Sequence, residues 1–330
     1  MTLRLIATTL VAASTLALSS PAWAFCRATT CDPSTQQCAR DSASCLTTGL
    51  PLFWASSCTQ VYVQADGSRK QGISFETTKQ RVQNAFTAWL TADCGNAGPS
   101  IDVQVLGPIT CATAEYNSTQ KNANLIVFRD DSWPYPASED TLGFTDLHFD
   151  PQTGELWDAD LEINSFVNQF SVGEPVTDND LDSMLTHEAG HMLGLAHTLV
   201  KEATMFASYT PGTDSLRTLD DDDVQAVCAV YPPERVPNRT SCSPRHGFSD
   251  ACSAEQPPNS ATNEGTDQAD TTTTMSDATT SKGCSIAAQS AAPKGNWALA
   301  GLSLALGACL RRRRARRHQF VSCRLVARQR

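Results

Sequence analysis

One stretch, residues 187–197, restricts the possible folds more than any other part of the chain: it reads HEAGHMLGLAH. In a helix, His187 and His191 are about one turn apart and lie on the same face. Two imidazoles at that spacing can bind one zinc ion. Gly194 allows the helix to end and the chain to reverse, because glycine adopts a positive φ at little cost. His197 can then approach the same ion from the following loop.

Three histidine ligands leave the fourth position of a tetrahedral zinc ion to water, which is typical of a catalytic rather than a closed structural site. Glu188 lies beside them and can handle a proton. The alternative is a solvated helix with incidental histidines. A chance match at all five fixed positions of H-E-x-x-H-x-x-G-x-x-H is roughly one in 10^5, so we favour the metal site.

The charge of the chain is unevenly distributed. The formal net charge is -10, yet residues 311–330 contain nine arginines and no acid. The rest of the chain is therefore more acidic than the total suggests. So acidic a chain before residue 311 argues against nucleic acid as a partner.

The N-terminus has the features of an export signal. Arg4 precedes a mostly apolar run at 5–18, and residues 22–24 form an A-x-A site. We predict a signal peptide over residues 1–24, with cleavage before Phe25 and export of the remaining chain.

Ten of the thirteen cysteines lie between Cys26 and Cys252. Export permits oxidation, so up to five disulfides are expected, although their pairing cannot be read from the sequence. Residues 25–48 form a cysteine-rich lead-in that we expect disulfides to hold. A second metal site within 26–45 is the alternative, but gaps of four, six and six residues are not zinc-ribbon spacing.

Hydrophobic periodicity predicts the order strand, helix, three or more strands, helix, loop, helix. The predicted strands are 59–64, 101–105, 125–128, 141–149 and 156–163. A helix at 77–90, with Thr77 and Gln80 as a capping box, precedes the histidine helix and a last helix at 220–230. Asp178 or Asp180 caps the histidine helix. We assign residues 49–233 to one catalytic domain.

The histidine motif is that of the metzincin zinc endopeptidases. Thr198 after the third histidine, Met205 within ATMF, and the closing segment 219–231 resemble the matrixins among them. The resemblance covers about residues 49–233. It implies an α+β fold: a twisted, mixed five-stranded sheet with two helices, then a small C-terminal subdomain with a Met-turn and a final helix.

The resemblance also implies roles. His187, His191 and His197 bind the catalytic zinc, Glu188 is the general base, and Met205 is a structural residue of the Met-turn beneath the site. Segment 141–149 is the edge strand that pairs with extended substrate, and segment 206–216 lines the selectivity pocket. The expected activity is zinc-dependent endopeptidase cleavage of extracellular proteins, with protein or peptide substrates as partners.

Two other functions stay open. A non-catalytic cell-surface binding protein with a structural zinc is suggested by the lead-in, the linker and the tail, although a closed site needs neither Glu188 nor Gly194. The second open function is hydrolysis of a different kind of substrate on the same zinc scaffold.

Some features of the matrixins are missing. The chain has no P-R-C-G cysteine switch, and His148 is the only histidine where a second, structural zinc would be bound. Calcium is a candidate second ion, and its candidate ligands are Asp146, Asp150, Asp158, Asp160 and Glu162.

The chain after residue 233 changes in composition. Residues 234–283 hold Cys242, Cys252 and a Ser/Thr/Asp-rich stretch that cannot bury a core and that we expect to be a disordered linker. Gly283-Cys284 follows, then a short apolar run at 297–310 that we predict to be a short transmembrane segment, and an arginine cluster at 311–317. This arrangement resembles a MYXO-CTERM sorting tail, although the chain continues through 318–330 as a basic tail. The resemblance implies a myxobacterial protein that is exported and tethered at the cell surface, with the tail contacting the membrane until it is processed.

Overall fold

The computed structural model describes residues 24–33, 35–135, 141–252 and 287–288. Its strands are β1 (Cys26–Arg27), β2 (Cys58–Gln64), β3 (Asp102–Ile109), β4 (Leu125–Phe128), β5 (Gly143–Phe149), β6 (Leu156–Ile163), β7 (Phe170–Ser171), β8 (Asn179–Asp180), β9 (Leu195–Ala196), β10 (Ser208–Tyr209) and β11 (Ala287–Ala288). Its α-helices are α1 (Phe75–Leu90), α2 (Leu181–Met192) and α3 (Asp221–Val230), and a short 3₁₀ helix spans Asp250–Cys252.

Five of these strands form one mixed sheet in the order β3-β2-β4-β6-β5. The first four are parallel to one another, and β5 is antiparallel to β6. Helices α1 and α2 pack on one face, where the main core lies. The predicted α+β class with a mixed five-stranded sheet is therefore confirmed.

Helix α1 begins two residues before its predicted start. Its N-cap is Ser74, whose side chain accepts a hydrogen bond from the backbone N–H of Thr77. The predicted capping box of Thr77 and Gln80 was thus wrong, because Ser74 already satisfies that donor. The predicted apolar face was right: Val82, Ala85, Phe86 and Trp89 are buried.

Five disulfides use all ten cysteines between Cys26 and Cys252. Cys26–Cys45 and Cys31–Cys38 hold the lead-in, so a second metal site at these cysteines is excluded. Cys58–Cys242 and Cys111–Cys252 fasten the segment after residue 233 to the sheet. The fifth bridge joins Cys94, after α1, to Cys228 of α3.

The predicted ends of the chain lie mostly outside the described residues. This applies to the export signal before Ala24, the Ser/Thr/Asp-rich linker, the apolar run at 297–310 and the arginine cluster. Within the described ranges, no helix has the length and apolar character needed to cross a membrane.

Candidate metal centre

Helix α2 is fixed at both ends. Its N-cap is Asp180, one of the two predicted residues, and Arg217 binds that carboxylate through two hydrogen bonds of 2.7 and 2.8 Å. At the other end, the indole of Trp54 donates to the carbonyl of Met192, and the hydroxyl of Tyr231 donates to that of Leu193. These bonds satisfy carbonyls that a helix end otherwise leaves without partners.

The chain reverses at Gly194, as the sequence predicts. Its φ is +90°, and a Cβ at this position would lie 2.7 Å from the carbonyl oxygen of Leu52. Both the backbone angle and this close approach require glycine. The reversal sends β9 back along α2 and carries His197 towards the other two histidines.

The three histidines converge. Nε2 of His197 lies 3.1 Å from Nε2 of His187 and 3.1 Å from Nε2 of His191. His187 and His191 are fully buried. Across the part of the chain that the structure describes, this is the only group of three or more His, Cys, Asp or Glu side chains placed to hold one metal ion.

The outer ring nitrogens of the helical histidines are held by backbone carbonyls. Nδ1 of His187 lies 2.6 Å from the oxygen of Thr204, and Nδ1 of His191 lies 3.0 Å from that of Leu195. A carbonyl oxygen only accepts, so Nδ1 carries the proton and the Nε2 lone pair is available to a metal.

Burial lowers the pKa of both helical histidines. The pKa of His191 falls to about 4, and the pKa of His187 falls well below its usual value because of burial and the neighbouring His191. Both imidazoles are therefore neutral at pH 7, which is the form that binds zinc. The donor set fits this ion: three imidazole nitrogens, fixed in orientation, around one point.

Glu188 is fully buried beside the histidines. Its Oε2 accepts a hydrogen bond of 2.6 Å from the hydroxyl of Thr145 on β5. A Cβ on Gly143 would lie 3.1 Å from Oε1 of the same carboxylate. The beginning of β5 thus passes directly over Glu188, and a side chain at Gly143 would crowd it.

Met205 packs on α2. A Cβ on Gly190 would overlap the Met205 sulfur and lie 2.7 Å from the ring of Trp89. The loop that carries Met205 is held from below by Asp223 on α3, which accepts from the backbone N–H groups of Thr204 at 2.6 Å and Met205 at 3.0 Å.

Asp223 was missed as a contributor to the site. Its carboxylate also completes the capping box of α3 with Asp220. Burial raises its pKa to about 6 against these hydrogen bonds, which lower it. The run of four aspartates predicted a helix start. Nothing in the run distinguished the one that reaches back 18 residues to Met205.

The lead-in contributes to the site as well. Strand β1 pairs with β9, with Cys26 opposite Ala196, the residue before His197. The backbone N–H of Ala28 donates to the carbonyl of Gly194 at 2.9 Å. The histidine loop is therefore braced by a segment almost 170 positions earlier in the sequence.

The acidic residues proposed for calcium lie on two adjacent strands and in the turn between them. Asp146, Asp158, Asp160 and Glu162 are buried on β5 and β6, whereas Asp150 lies in the connecting turn, where it accepts the N–H of Gln152. Asp146 is paired with Asp160 across the strands, and His148 with Asp158. Calcium binding by this set stays a prediction.

The chain resembles known proteins over the region that carries this centre. Residues 110–232 match the family model Matrixin. Metalloendoproteinase 1-MMP of Arabidopsis thaliana is 36% identical over 92 residues, which is 28% of this chain and 25% of the relative. Metalloendoproteinase 1 of Glycine max is 27% identical over 168 residues, 47% of this chain and 46% of the relative. Interstitial collagenase B of Mus musculus is 38% identical over 72 residues, 21% of this chain and 15% of the relative.

The chain thus spans less than half the length of each of these relatives. The matched segment contains β4, β5, β6, α2, the histidine loop and α3. Together, the family match, the relatives and the mixed sheet support a matrixin-like catalytic domain in this chain.

Proposed function

We propose that the protein is a zinc-dependent endopeptidase in which His187, His191 and His197 bind the ion. The observation that supports this most is the convergence of the three Nε2 atoms beside the buried Glu188. A bound zinc ion supplies a water of lowered pKa and polarises the carbonyl of the scissile peptide.

Glu188 is the general base in this proposal. Its carboxylate takes the proton of the attacking water and later passes it to the nitrogen of the leaving amine. The hydrogen bond from Thr145 holds one carboxylate oxygen of Glu188 in place. Met205 supports the site from below as a packing residue.

The substrate is an extended peptide that adds to the free edge of β5. In the described sheet, β5 pairs with β6 alone, so its other edge can accept a further strand. Gly143 and Thr145 on this edge strand lie against Glu188, which supports a position of the added backbone close to that carboxylate. Segment 206–216, after Met205, lines the selectivity pocket.

We place the reaction outside the cell, on extracellular proteins. Five disulfides favour an oxidising compartment and agree with the predicted export signal. Tethering through the tail at 284–317 and calcium as a second ion remain part of this proposal on sequence grounds alone.

The test is cleavage of a denatured protein by the full chain, with and without a chelator. We expect Glu188→Ala to retain one equivalent of zinc, measured by elemental analysis, and to lose cleavage by a factor of about 10^3 or more. A metal-loaded parent that cleaves no member of a broad peptide library would instead favour the non-catalytic binding protein.

A further inference from the structure

The segment that follows Met205 closes on itself. The hydroxyl of Thr204, just before this segment, donates to the carbonyl of Thr218, just after it, at 3.0 Å. Residues 205–217 therefore form a compact loop whose two ends lie close together. We call it the selectivity loop, because it contains segment 206–216, which the proposed function assigns to the lining of the selectivity pocket.

The selectivity loop is fastened to the chain that leads into α2. The backbone N–H of Gly212 donates to the carbonyl of Asp178 at 2.8 Å. The hydroxyl of Tyr209 accepts from the backbone N–H of Asp180 at 2.9 Å. Arg217, at the end of the loop, binds the carboxylate of Asp180. These contacts hold the loop against the N-terminal end of the helix.

The ion pair between Arg217 and Asp180 is the strongest of these contacts. Nε and Nη2 of Arg217 lie 2.7 and 2.8 Å from the two carboxylate oxygens of Asp180, and Nη1 donates to Glu174 at 2.6 Å. The side chain of Asp180 is fully buried. A bidentate pair fixes the orientation of its two partners as well as their distance. Since Asp180 also accepts from the N–H of Ser183, one carboxylate caps α2 and holds the loop.

The other end of the loop is tied to the metal centre on the same helix. The carbonyl of Thr204 accepts from Nδ1 of His187 at 2.6 Å. His187 and Asp180 are seven positions apart in the chain, which is about 10 Å along a helix axis. The loop is therefore pinned to α2 at two separate points, one beside a metal ligand and one at the N-cap.

The interior of the loop is filled by its own side chains. Tyr209 and Leu216 are buried, and the hydroxyl of Tyr209 donates to the carbonyl of Thr213 inside the loop. A large substrate side chain against so closely packed a wall gains room only if the loop moves away from α2.

We propose that Arg217 is a positioning residue that prevents this movement and thereby excludes large side chains from the selectivity pocket. Arg217 acts through Asp180 and the loop, without contacting the metal ligands. The proposal rests on the proposed function for the assignment of the pocket to segment 206–216.

The kinetic test removes the ion pair without leaving a buried charge. Arg217→Gln alone would leave the carboxylate of Asp180 unpaired, so it is combined with Asp180→Asn, whose side-chain oxygen can still cap α2. The full chain is given two synthetic peptides that differ only in the residue after the scissile bond, leucine or tryptophan. We expect the ratio of kcat/KM for the leucine peptide to that for the tryptophan peptide to fall roughly fivefold or more in the double variant.

This ratio separates positioning from stability. A variant that is only less stable loses both activities in proportion and keeps the ratio. Arg81→Gln is the matched control, because Arg81 on α1 pairs with Asp182 in the first turn of α2 at 3.1 Å. It should keep the parent ratio. A parent ratio in the double variant would overturn the proposal, and so would an equal fall of the ratio in Arg81→Gln.

Hydrogen exchange tests the ion pair without peptidase activity. The amide of Gly212, which donates to Asp178, reports whether the loop stays on α2. It should exchange about tenfold faster or more in the double variant than in the parent or in Arg81→Gln, because the loss of a charged hydrogen bond makes local opening easier. Faster exchange in a protein without any turnover would refute the proposed function and leave the role of the ion pair intact. Turnover with equal exchange in all three proteins would refute the role of the ion pair and leave the proposed function intact.

Discussion

The carboxylate of Glu188 is positioned by a contact that crosses from helix to sheet. Its Oε2 accepts from the hydroxyl of Thr145, 43 residues earlier in the chain. Both residues are fully buried, so water cannot replace the donor without rearrangement. This contact makes the hydroxyl, rather than the size of the side chain, the feature of Thr145 that matters.

We therefore predict that Thr145→Val lowers kcat by about tenfold or more, because removing a donor from a buried carboxylate costs about 1–3 kcal/mol. Zinc content should stay at the parent level, since no histidine is touched. Steady-state kinetics and elemental analysis check this. Thr145→Ser keeps the hydroxyl and should keep most of the activity; equal losses in the two variants would argue against the hydrogen bond as the cause.

At the residue scale, local spacing could be predicted and distant partners could not. The three histidines follow from their spacing, because one helical turn and a glycine reversal bring them together. Thr145 and Asp223 hold Glu188 and Met205 through contacts that depend on how the elements pack. A threonine in a strand or an aspartate at a helix start has many possible partners, so the sequence alone does not select one.

At the scale of elements, the strand pair β5–β6 carries a group of buried acidic side chains. Asp158 is fully buried, and neither of its carboxylate oxygens has a hydrogen-bond partner within the described residues. Asp146, His148 and Asp160 lie around it on the same two strands. Burial raises the pKa of Asp158 to about 7, with His148 opposing and Asp146 adding to the shift.

Because folding raises the pKa of Asp158, the free energy of unfolding depends on pH. The unfolded chain loses the proton of Asp158 near pH 3.8, whereas the folded chain holds it to about pH 7. Between these values the folded state binds more protons, so this group contributes stability at low pH that is lost as the pH rises through the window. Asp158→Asn removes this contribution to the change of the free energy of unfolding with pH.

We predict that the free energy of unfolding of Asp158→Asn, relative to the parent, increases from pH 4 to pH 7 by on the order of 2–4 kcal/mol and then levels off. Urea unfolding at a series of pH values in the presence of a chelator measures it. Asp102→Asn, at an exposed position of β3, is the control and should run parallel to the parent. If Asp158→Asn also runs parallel, the carboxyl is not the titrating group. In a repeat without chelator, stabilisation of the parent but not of Asp158→Asn by added calcium would support the calcium site.

Element bounds were predicted well where turn residues or periodicity delimit them. Strands at 125–128 and 156–163 have the predicted ends, and α3 begins one residue after its predicted start. The two-residue strands β1, β9 and β10 could not be predicted, because so short a pairing leaves no alternation to detect. Sheet order was likewise beyond residue patterns, and the family resemblance implied only a mixed five-stranded sheet with segment 141–149 at its edge.

At the scale of the whole molecule, the start of the lead-in links α3 to the loop that carries His197. The carboxylate of Asp222, at the start of α3, lies beside the backbone N–H groups of Ala24 and Phe25 and beside Thr198, the residue after His197. The hydroxyl of Thr198 donates to the carbonyl of Ala24 at 3.1 Å. Oδ2 of Asp222 is buried without a partner in the described structure. Burial raises the pKa of Asp222, while its contacts with Thr198, Ala24 and Phe25 oppose the shift.

Cleavage before Phe25, as the sequence predicts, would change this contact. The amide of Phe25 becomes an α-ammonium group next to a buried carboxylate that has an oxygen to spare. A hydrogen bond between charged groups contributes about 1.5–3 kcal/mol, against about 0.5–1.5 kcal/mol for each of the amide contacts from Ala24 and Phe25 that cleavage removes or replaces. The new N-terminus then links the lead-in, the histidine loop and α3 through one carboxylate.

We predict that protein beginning at Phe25 unfolds at a higher temperature than protein with four extra residues before it, by a stability difference of about 1–3 kcal/mol. Thr198 adjoins His197, so kcat/KM on a peptide should rise in the same order. Asp222→Asn should abolish the difference between the two N-termini, whereas Asp221→Asn, on the exposed side of the same helical turn, should preserve it. Equal melting temperatures for the two forms of the parent would show that the ammonium group does not pair with Asp222. The lead-in would then be held against the histidine loop by the β1–β9 pairing and the Cys26–Cys45 disulfide.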